Sequence, residues 1–447
     1  MASAPRLPPG RLLFVSVLAT ATGAVMAFGA KFILWLIAAI TNLSFYGRFS
    51  GAPATAVGNH LGFCVVLVPV AGAVVVGLMA RYGHRGIQGH GIPEAMEQVL
   101  FNESRTPPAI LVLKPLSTAV VIGTGGPFGA EGVVIATGGA LGSVVGQWLK
   151  LSPVERKILL AAGAAAGLSA TFNAPIAAVL LSLELLLFEF HPRSLIPVSL
   201  ASAAAAALRA RIIGAGPMFF IPPVAAASGS LFLSYAALGL VMGLLSVAVV
   251  RVVARVEEWF DRLPVHWMWR PALGALAIGL LGFYDPRVFG PGYGVIDQIL
   301  GASLSPSGAV KIGGLKLAAW IAGVASATSS GTLAPLLLVG AGAGTGFARG
   351  LALIFHGAVM DPRLAALVGL AAFFGGMSGA FLASMALVIE TTGRIHAFAP
   401  LLAGCAASYL MVRLLSNENI MTQKFGKQGR EVPAGYAADE PVRTQAI

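Results

Sequence analysis

The chain has 447 residues, 57% hydrophobic and only 11% charged, against about 25% charged in a soluble domain. This excludes a soluble globular protein and makes the chain a polytopic membrane protein. Its net charge of +11 gathers in short polar connectors, so it reads as topology and lipid contact, not as nucleic-acid binding.

Apolar runs at 12–30, 61–80, 158–183, 231–250, 364–389 and 397–412 are each long enough, or nearly so, to cross a hydrocarbon core of about 30 Å as helix. Apolar residues run on without strict alternation, which excludes a barrel. The 56 Gly and 27 Pro suit close helix packing and broken helices that line a cavity. The first run, about 12–41, is too long for a secretory h-region and carries Lys31. It is expected to be a retained helix, not a cleaved signal peptide. Arg6 and Arg11 precede it; Arg81, His84 and Arg85 follow the second run; Lys424, Lys427, Arg430 and Arg443 lie in the polar tail. The positive-inside rule then places both termini in the cytoplasm. Cys64 and Cys405 lie in apolar runs and support no disulfide or metal framework.

Three Gly-rich breaks interrupt the apolar pattern. The first is Gly89-His90-Gly91-Ile92-Pro93-Glu94. The second, Gly129-Ala130-Glu131-Gly132, holds a carboxylate with no cation within sixteen residues on either side. An ionised carboxylate in hydrocarbon is expensive, so Glu131 is a functional-site candidate by default. The third break is Ser329-Ser330-Gly331-Thr332-Leu333-Ala334-Pro335. Each reads as a loop running into a helix inside the membrane, with Pro93 and Pro335 in first turns. A helix start carries roughly half a positive charge and several unpaired N–H groups. Converging starts could hold a dehydrated anion without a full positive charge, which would bind it too tightly for rapid release.

The breaks also recur in two halves. Phe172-Asn-Ala-Pro175 leads to Glu184, and Gly375-Gly-Met-Ser-Gly379 leads to Glu390. Matching Gly/Pro-interrupted segments point to a binding site at a repeat interface. The expected organisation is one integral membrane domain, with halves at about 12–220 and 225–415 and a polar tail over 416–447. The dividing segment lies near Arg209–Ser230, and Arg251–Arg270 reads as the solvent end of a long helix with its connector. The tail over 416–447 is expected to form no regulatory nucleotide-binding domain of ordinary size.

In this order and spacing, the three breaks resemble the signature regions of the CLC family of chloride channels and proton-coupled chloride antiporters, over about residues 10–430. Gly89–Pro93 resembles Gly-Ser-Gly-Ile-Pro, Ala130-Glu131-Gly132 resembles Gly-(Lys/Arg)-Glu-Gly-Pro, and Gly331–Pro335 resembles Gly-x-Phe-x-Pro. Lys31 with Trp35, Lys114, Phe172–Pro175, Gly292-Tyr293-Gly294-Val-Ile296, Lys316 and Glu390 match along the chain. The resemblance implies an all-α, multi-pass fold of two inverted halves, a homodimer with one pore per subunit, and a bacterial inner-membrane location. It implies that Glu131 is the gating glutamate and possible proton carrier. His90, Gly91, Ile92, Gly132, Thr332 and Leu333 would bind the anion, and Gly89, Pro93, Gly331 and Pro335 would shape the loops. It implies chloride or another small anion, with protons, as the transported species, and no cofactor.

Four positions depart from the family pattern: His90 for Ser, Val133 for Pro, Leu185 for the inner proton-transfer Glu, and Met421 for the inner-gate Tyr. Glu184 or Glu189 could replace the missing acid, or each could be a helix-end hydrogen-bond group near His191 and Arg193. Glu390 is expected to be structural, tied to backbone or Arg394; Lys114 and Lys316 are expected to cap helix C-termini or reach an interface. Phe128, Phe172, Phe373 and Phe374 are expected in the core. The favoured function is chloride transport as a channel or proton exchanger. The alternatives are a fluoride or other-anion antiporter and, remotely, a membrane enzyme or scaffold, for which no nucleophile–base set is present.

Overall fold

The computed structural model describes residues 7–224, 231–355, 360–416 and 418–433. Arg6, Arg443 and the last residues of the expected tail lie outside the described residues, as does the end of the dividing segment. The described chain is helical, with one isolated bridge and no strand.

Eight helices form the first half: α1 (Pro9–Tyr46), α2 (Leu67–Tyr82), α3 (Ile92–Phe101), α4 (Pro108–Gly123), α5 (Glu131–Trp148), α6 (Pro153–Phe172), α7 (Pro175–Ser182) and α8 (Pro192–Ile212). Eight follow in the second: α9 (Phe232–Arg262), α10 (Arg270–Tyr284), α11 (Tyr293–Leu300), α12 (Pro306–Ala325), α13 (Leu333–Ile354), α14 (Pro362–Ser378), α15 (Phe381–Thr392) and α16 (Phe398–Leu415). A short α17 (Gln423–Lys427) lies in the tail. Seven of the described helical segments are long and apolar enough to cross a membrane. At 1.5 Å per residue, the 38 residues of α1 span roughly 57 Å, so α1 must tilt across, or project beyond, a core of about 30 Å.

Two of the expected spans are broken. The run 158–183 divides at Asn173, left-handed at φ 55°, and Pro175 starts α7. Asn tolerates that conformation through its short polar side chain. The run 364–389 divides at Gly379, φ 78°, between α14 and α15. Hydropathy alone cannot register a single left-handed residue inside an apolar stretch.

Equivalent helices pack alike in the two halves: α5 on α6 as α13 on α14, and α1 on α8 as α9 on α16. Small residues permit these approaches. A Cβ at Gly138 or Gly163 would strike the other's carbonyl, and the pair Gly340 and Gly369 repeats that geometry. The halves are inverted. Arg85, beyond the end of α2, lies over Trp267, just before the start of α10, at 4.5 Å. The equivalent helices α2 and α10 therefore run antiparallel while packed on each other.

The same inversion is written in carboxylates. Glu184, just past α7, accepts from the Leu382 and Ala383 amides at the start of α15, at 2.8 and 3.0 Å. Glu390, in the last turn of α15, accepts from the Ile176 and Ala177 amides at the start of α7, at 3.0 and 2.7 Å. Each helix supplies the anion that satisfies its partner's orphan donors. Glu390 is thus tied to backbone, as expected, but to that of the opposite half; Arg394 instead donates to the Ile221 carbonyl.

Glu184→Ala and Glu390→Ala should each destabilise the fold by about 1–3 kcal/mol, because two helix-start amides lose their acceptor. The exposed Glu258→Ala should be silent. Thermal unfolding of the purified protein in detergent checks the contrast.

Candidate functional site

The three Gly-rich breaks meet. Gly89 donates to the Thr328 carbonyl and accepts from the Ser330 amide, both at 3.1 Å, forming the one bridge between the first and third breaks. Gly89 and Gly91 take φ of 95° and 94°, open to glycine and strained for other residues. A Cβ at Gly91 would strike the Gly132 carbonyl, one at Gly132 would strike the His90 carbonyl, and one at Gly331 would strike the Gly129 carbonyl. The breaks are glycine-rich because three backbones touch there.

Two buried lysines hold the loops from behind. Lys114 donates to the Ile87 and Gly89 carbonyls at 2.7 and 2.8 Å. Lys316 donates to the Val288 carbonyl at 2.8 Å and to the Gly290 carbonyl. Ile87 and Val288 each end a 3₁₀ turn, so the expectation that these lysines cap helix ends holds. Ser329 joins the frame through Ser117 and Thr118, at 3.1 and 2.8 Å.

Glu131 is the first residue of α5 and is fully buried. Its carboxylate folds back over Gly129, where a Cβ would overlap both oxygens. Oε1 accepts from the Tyr293 hydroxyl at 2.8 Å. Oε2 has no hydrogen-bond partner among the described residues and lies 3.4 Å from where a Gly331 Cβ would stand. The Ala334 amide and the Lys316 ammonium lie within electrostatic reach of the carboxylate. His90 Nδ1 and the Ser330 and Thr332 hydroxyls are likewise buried and unpartnered among the described residues. Such groups call for a polar occupant. These donors, with the first-turn amides of α5 and α13, suit a small dehydrated anion.

The expected anion donors divide. Gly91 is a correction: its amide donates to Glu94 Oε2 at 2.6 Å, because Glu94 at the third position of α3 reaches back as a capping box. Ile92, Gly132, Thr332 and Leu333 stand at helix starts around the meeting point. His90 opens onto a cavity of about 750 Å³, which Glu94, Glu257, Ile420, Gln423 and Lys424 also line. Met421 does not line it: its side chain is fully buried in the core, and its neighbours Ile420 and Gln423 form the wall. Leu185 borders a second cavity of about 420 Å³. Glu184 is engaged as described, and Glu189 accepts from Arg193 at 2.8 Å and from Ser194. All four expected core phenylalanines are fully buried. No metal-binding group of His, Cys, Asp or Glu occurs among the described residues.

Three features escaped the sequence. Tyr293 stood out only as part of a Gly-Tyr-Gly match, with no acceptor indicated. Gln423, 4% exposed with an unpartnered Nε2, sits in the polar tail and yet walls the cavity. Lys424 bridges Glu97 at 2.7 Å and Glu94 at 3.7 Å, and Lys427 meets Glu257 at 2.7 Å, so α17 clamps across the cavity mouth. Burial alone would pull the Lys424 ammonium down, but these carboxylates outweigh it and hold it above its usual range. Its contribution is therefore complete at neutral pH and lost only as pH rises through that raised value.

A family model described as "Voltage gated chloride channel" matches residues 71–413. The voltage-gated ClC-type chloride channel ClcB of Escherichia coli O127:H6 is 28% identical over 394 residues, 86% of this chain and 92% of that protein. Among solved structures, a slow cyanobacterial Cl⁻/H⁺ antiporter superposes with a TM-score of 0.80 at 23% identity, covering 95% of this chain and 99% of that one. A CLC-type fluoride/proton antiporter gives 0.75 at 22% identity, covering 92% and 98%.

Gly331→Ala should force the third break off Gly129 and lower stability by about 1–3 kcal/mol. Gly294→Ala, with open space around it, should be neutral. Unfolding midpoints of the two variants, compared side by side, check this.

Proposed function

The chain belongs to the voltage-gated chloride channel family, the CLC channels and antiporters, and on that premise we propose that each subunit carries a small anion along a pathway gated by Glu131. The observation that carries the reading is the placement of Glu131. Its carboxylate is fully buried between converging helix starts, beside unpartnered donors and without a basic side chain bonded to it. A tethered carboxylate in such surroundings competes with a free anion for the same amides and hydroxyls. Withdrawal or protonation of Glu131 then frees the site.

His90, at the cavity end of the pathway, presents an unpartnered ring nitrogen where the family pattern has a serine hydroxyl. It offers an arriving anion a donor. Lys114 and Lys316 add positive field from behind the loops without contacting the ion, which favours occupancy while preserving release. Chloride is the favoured ion. Fluoride or another small anion is the second reading, favoured by the imidazole at position 90 and by the fluoride/proton antiporter among the fold's neighbours.

Glu184 and Glu189 are bound into backbone amides and an ion pair, so proton transfer is not assigned to them. The cavity end, where Arg85, Lys424 and Lys427 gather, faces the cytoplasm by the positive-inside rule. Two such subunits form a homodimer in the bacterial inner membrane, each with its own pathway.

Anion efflux from loaded liposomes, with proton movement recorded at the same time for chloride, fluoride and nitrate, tests the reading. Flux of at least one anion is expected, and flux of none overturns it. Uphill proton movement marks an exchanger; its absence marks a channel. Glu131→Gln should flatten the pH dependence of flux, and a wild-type pH response in that variant contradicts the gate. His90→Ser should change the order of the three anions; an unchanged order removes His90 from the pathway.

A further inference from the structure

Among the described residues, one side chain hydrogen-bonds Glu131: Tyr293, whose hydroxyl donates to Oε1 at 2.8 Å. Its position is fixed from several directions. Tyr293 opens α11 directly after Gly292, which is left-handed at φ 82°. A Cβ there would press on Leu338 and approach Lys316 Nζ to 3.5 Å. The preceding loop is pinned by Lys316 to its own carbonyls, and Gly290 donates to the Gly125 carbonyl at 3.4 Å, in the loop that leads to Glu131. The phenol ring stands edge-on to Phe172, centroids 6.1 Å apart, and tilted against Phe219 at 6.3 Å. A side chain this confined presents its hydroxyl in one place.

Tyr293 also approaches from a definite side. Glu257 and Asp261, near the end of α9, line the large cavity; Arg270, which opens α10, pairs with Asp261, and Gly279 further along α10 packs on Val66, at the end of α2 away from the cavity-lining His84 and Arg85. The chain then turns through Pro286–Val288 into α11. Tyr293 therefore reaches Glu131 from the face opposite the cavity that His90 lines. The equivalent helix start in the first half carries Ile92, whose side chain has no donor to offer. The inverted repeat is thus asymmetric at the first residue of these two helices, where Tyr293 bonds Glu131 and Ile92 has an apolar side chain.

A phenol hydroxyl bonds an ionised carboxylate more strongly than a neutral acid. The bond therefore favours the charged form and opposes protonation. The ionisable groups that face Glu131 among the described residues are Tyr293 from α11 and Lys316 from α12. The start of α13 contributes the Ala334 backbone amide, and Phe172 at the end of α6 packs on the Tyr293 ring.

We propose that Tyr293 is a latch on the gate: a positioning residue that holds ionised Glu131 in the pathway from the face opposite the His90 cavity and sets the pH at which the carboxylate lets go. This rests on the reading of Glu131 as the gate. Without the latch the carboxylate takes a proton at higher pH and leaves the pathway more readily.

The test is anion efflux from liposomes containing the full chain, recorded from acid to alkaline pH. Tyr293→Phe should move the midpoint of the pH profile up by about one unit, a change of roughly tenfold in proton affinity for one lost charge-assisted bond. A fluorotyrosine placed at 293 has a more acidic phenol and should move the midpoint down. This arm keeps the ring and needs no change of packing. In a Glu131→Gln background, Tyr293→Phe should change nothing. An unmoved midpoint in both Tyr293 forms, with Glu131→Gln flattening the profile, overturns the latch and leaves the gate standing. A shift that persists in the Glu131→Gln background also overturns it, since the tyrosine then acts elsewhere. A wild-type profile in Glu131→Gln itself removes the gate, and the latch with it.

Discussion

A carboxylate fully buried and without a basic side chain bonded to it is the constraint on which this structure depends. Burying Glu131 is unfavourable unless its surroundings supply hydrogen-bond donors. The protein supplies them from backbone and hydroxyl groups. To bring enough of these to one place, three helices must begin in the interior of the membrane, and their loops must touch backbone to backbone. That contact requires glycine at Gly91, Gly132 and Gly331. Helices that start midway across the membrane are in turn tolerable only when surrounded by protein, which the largely buried α5, α6 and α14 and the buried first turns of α13 provide.

The inverted repeat solves the remaining problem of loose ends. Helices that stop inside the membrane leave carbonyls and amides with no water to satisfy them. Lys114 and Lys316 answer the carbonyls at equivalent places, and Glu184 and Glu390 answer the amides reciprocally across the two halves. Among the described residues, each of these four charges is held by oriented backbone groups. That arrangement leaves the electrostatics of the pathway to dipoles and to charges at a distance, a condition that suits rapid release of an anion. The halves differ where function needs polarity: Tyr293 and Ile92 occupy matching helix starts with opposite chemistry.

Much of this is legible in the sequence because the chemistry is conspicuous there. Glu131 stands alone in a long apolar segment, and the breaks around 89–94, 129–132 and 329–335 carry glycine where backbones must meet. The expectation of an all-α fold in inverted halves agrees with the structure and with its neighbours among solved folds. What is not legible depends on direction and distance. Pro175 and the glycines of Gly375–Gly379 mark the two segments, but hydropathy does not show that Asn173 and Gly379 break these apolar runs, because one left-handed residue leaves it unchanged. The Gly91 amide is taken by Glu94 three residues on, so a position that aligns with an ion site has its donor already used. Met421 points into the core while Gln423 lines the cavity, since the tail turns within those few residues. Tyr293 and Glu131 are 162 residues apart, a pairing that only the fold creates.

The central claim is that the Glu131 carboxylate occupies a place that a free anion can take. Anomalous diffraction from bromide-soaked crystals of Glu131→Ala measures this directly. The account predicts a bromide peak between Gly129, Gly331 and the Tyr293 hydroxyl, absent at the same place in the unsubstituted protein. A vacated pocket with no bromide there, in crystals that hold bromide elsewhere along the pathway, would contradict it.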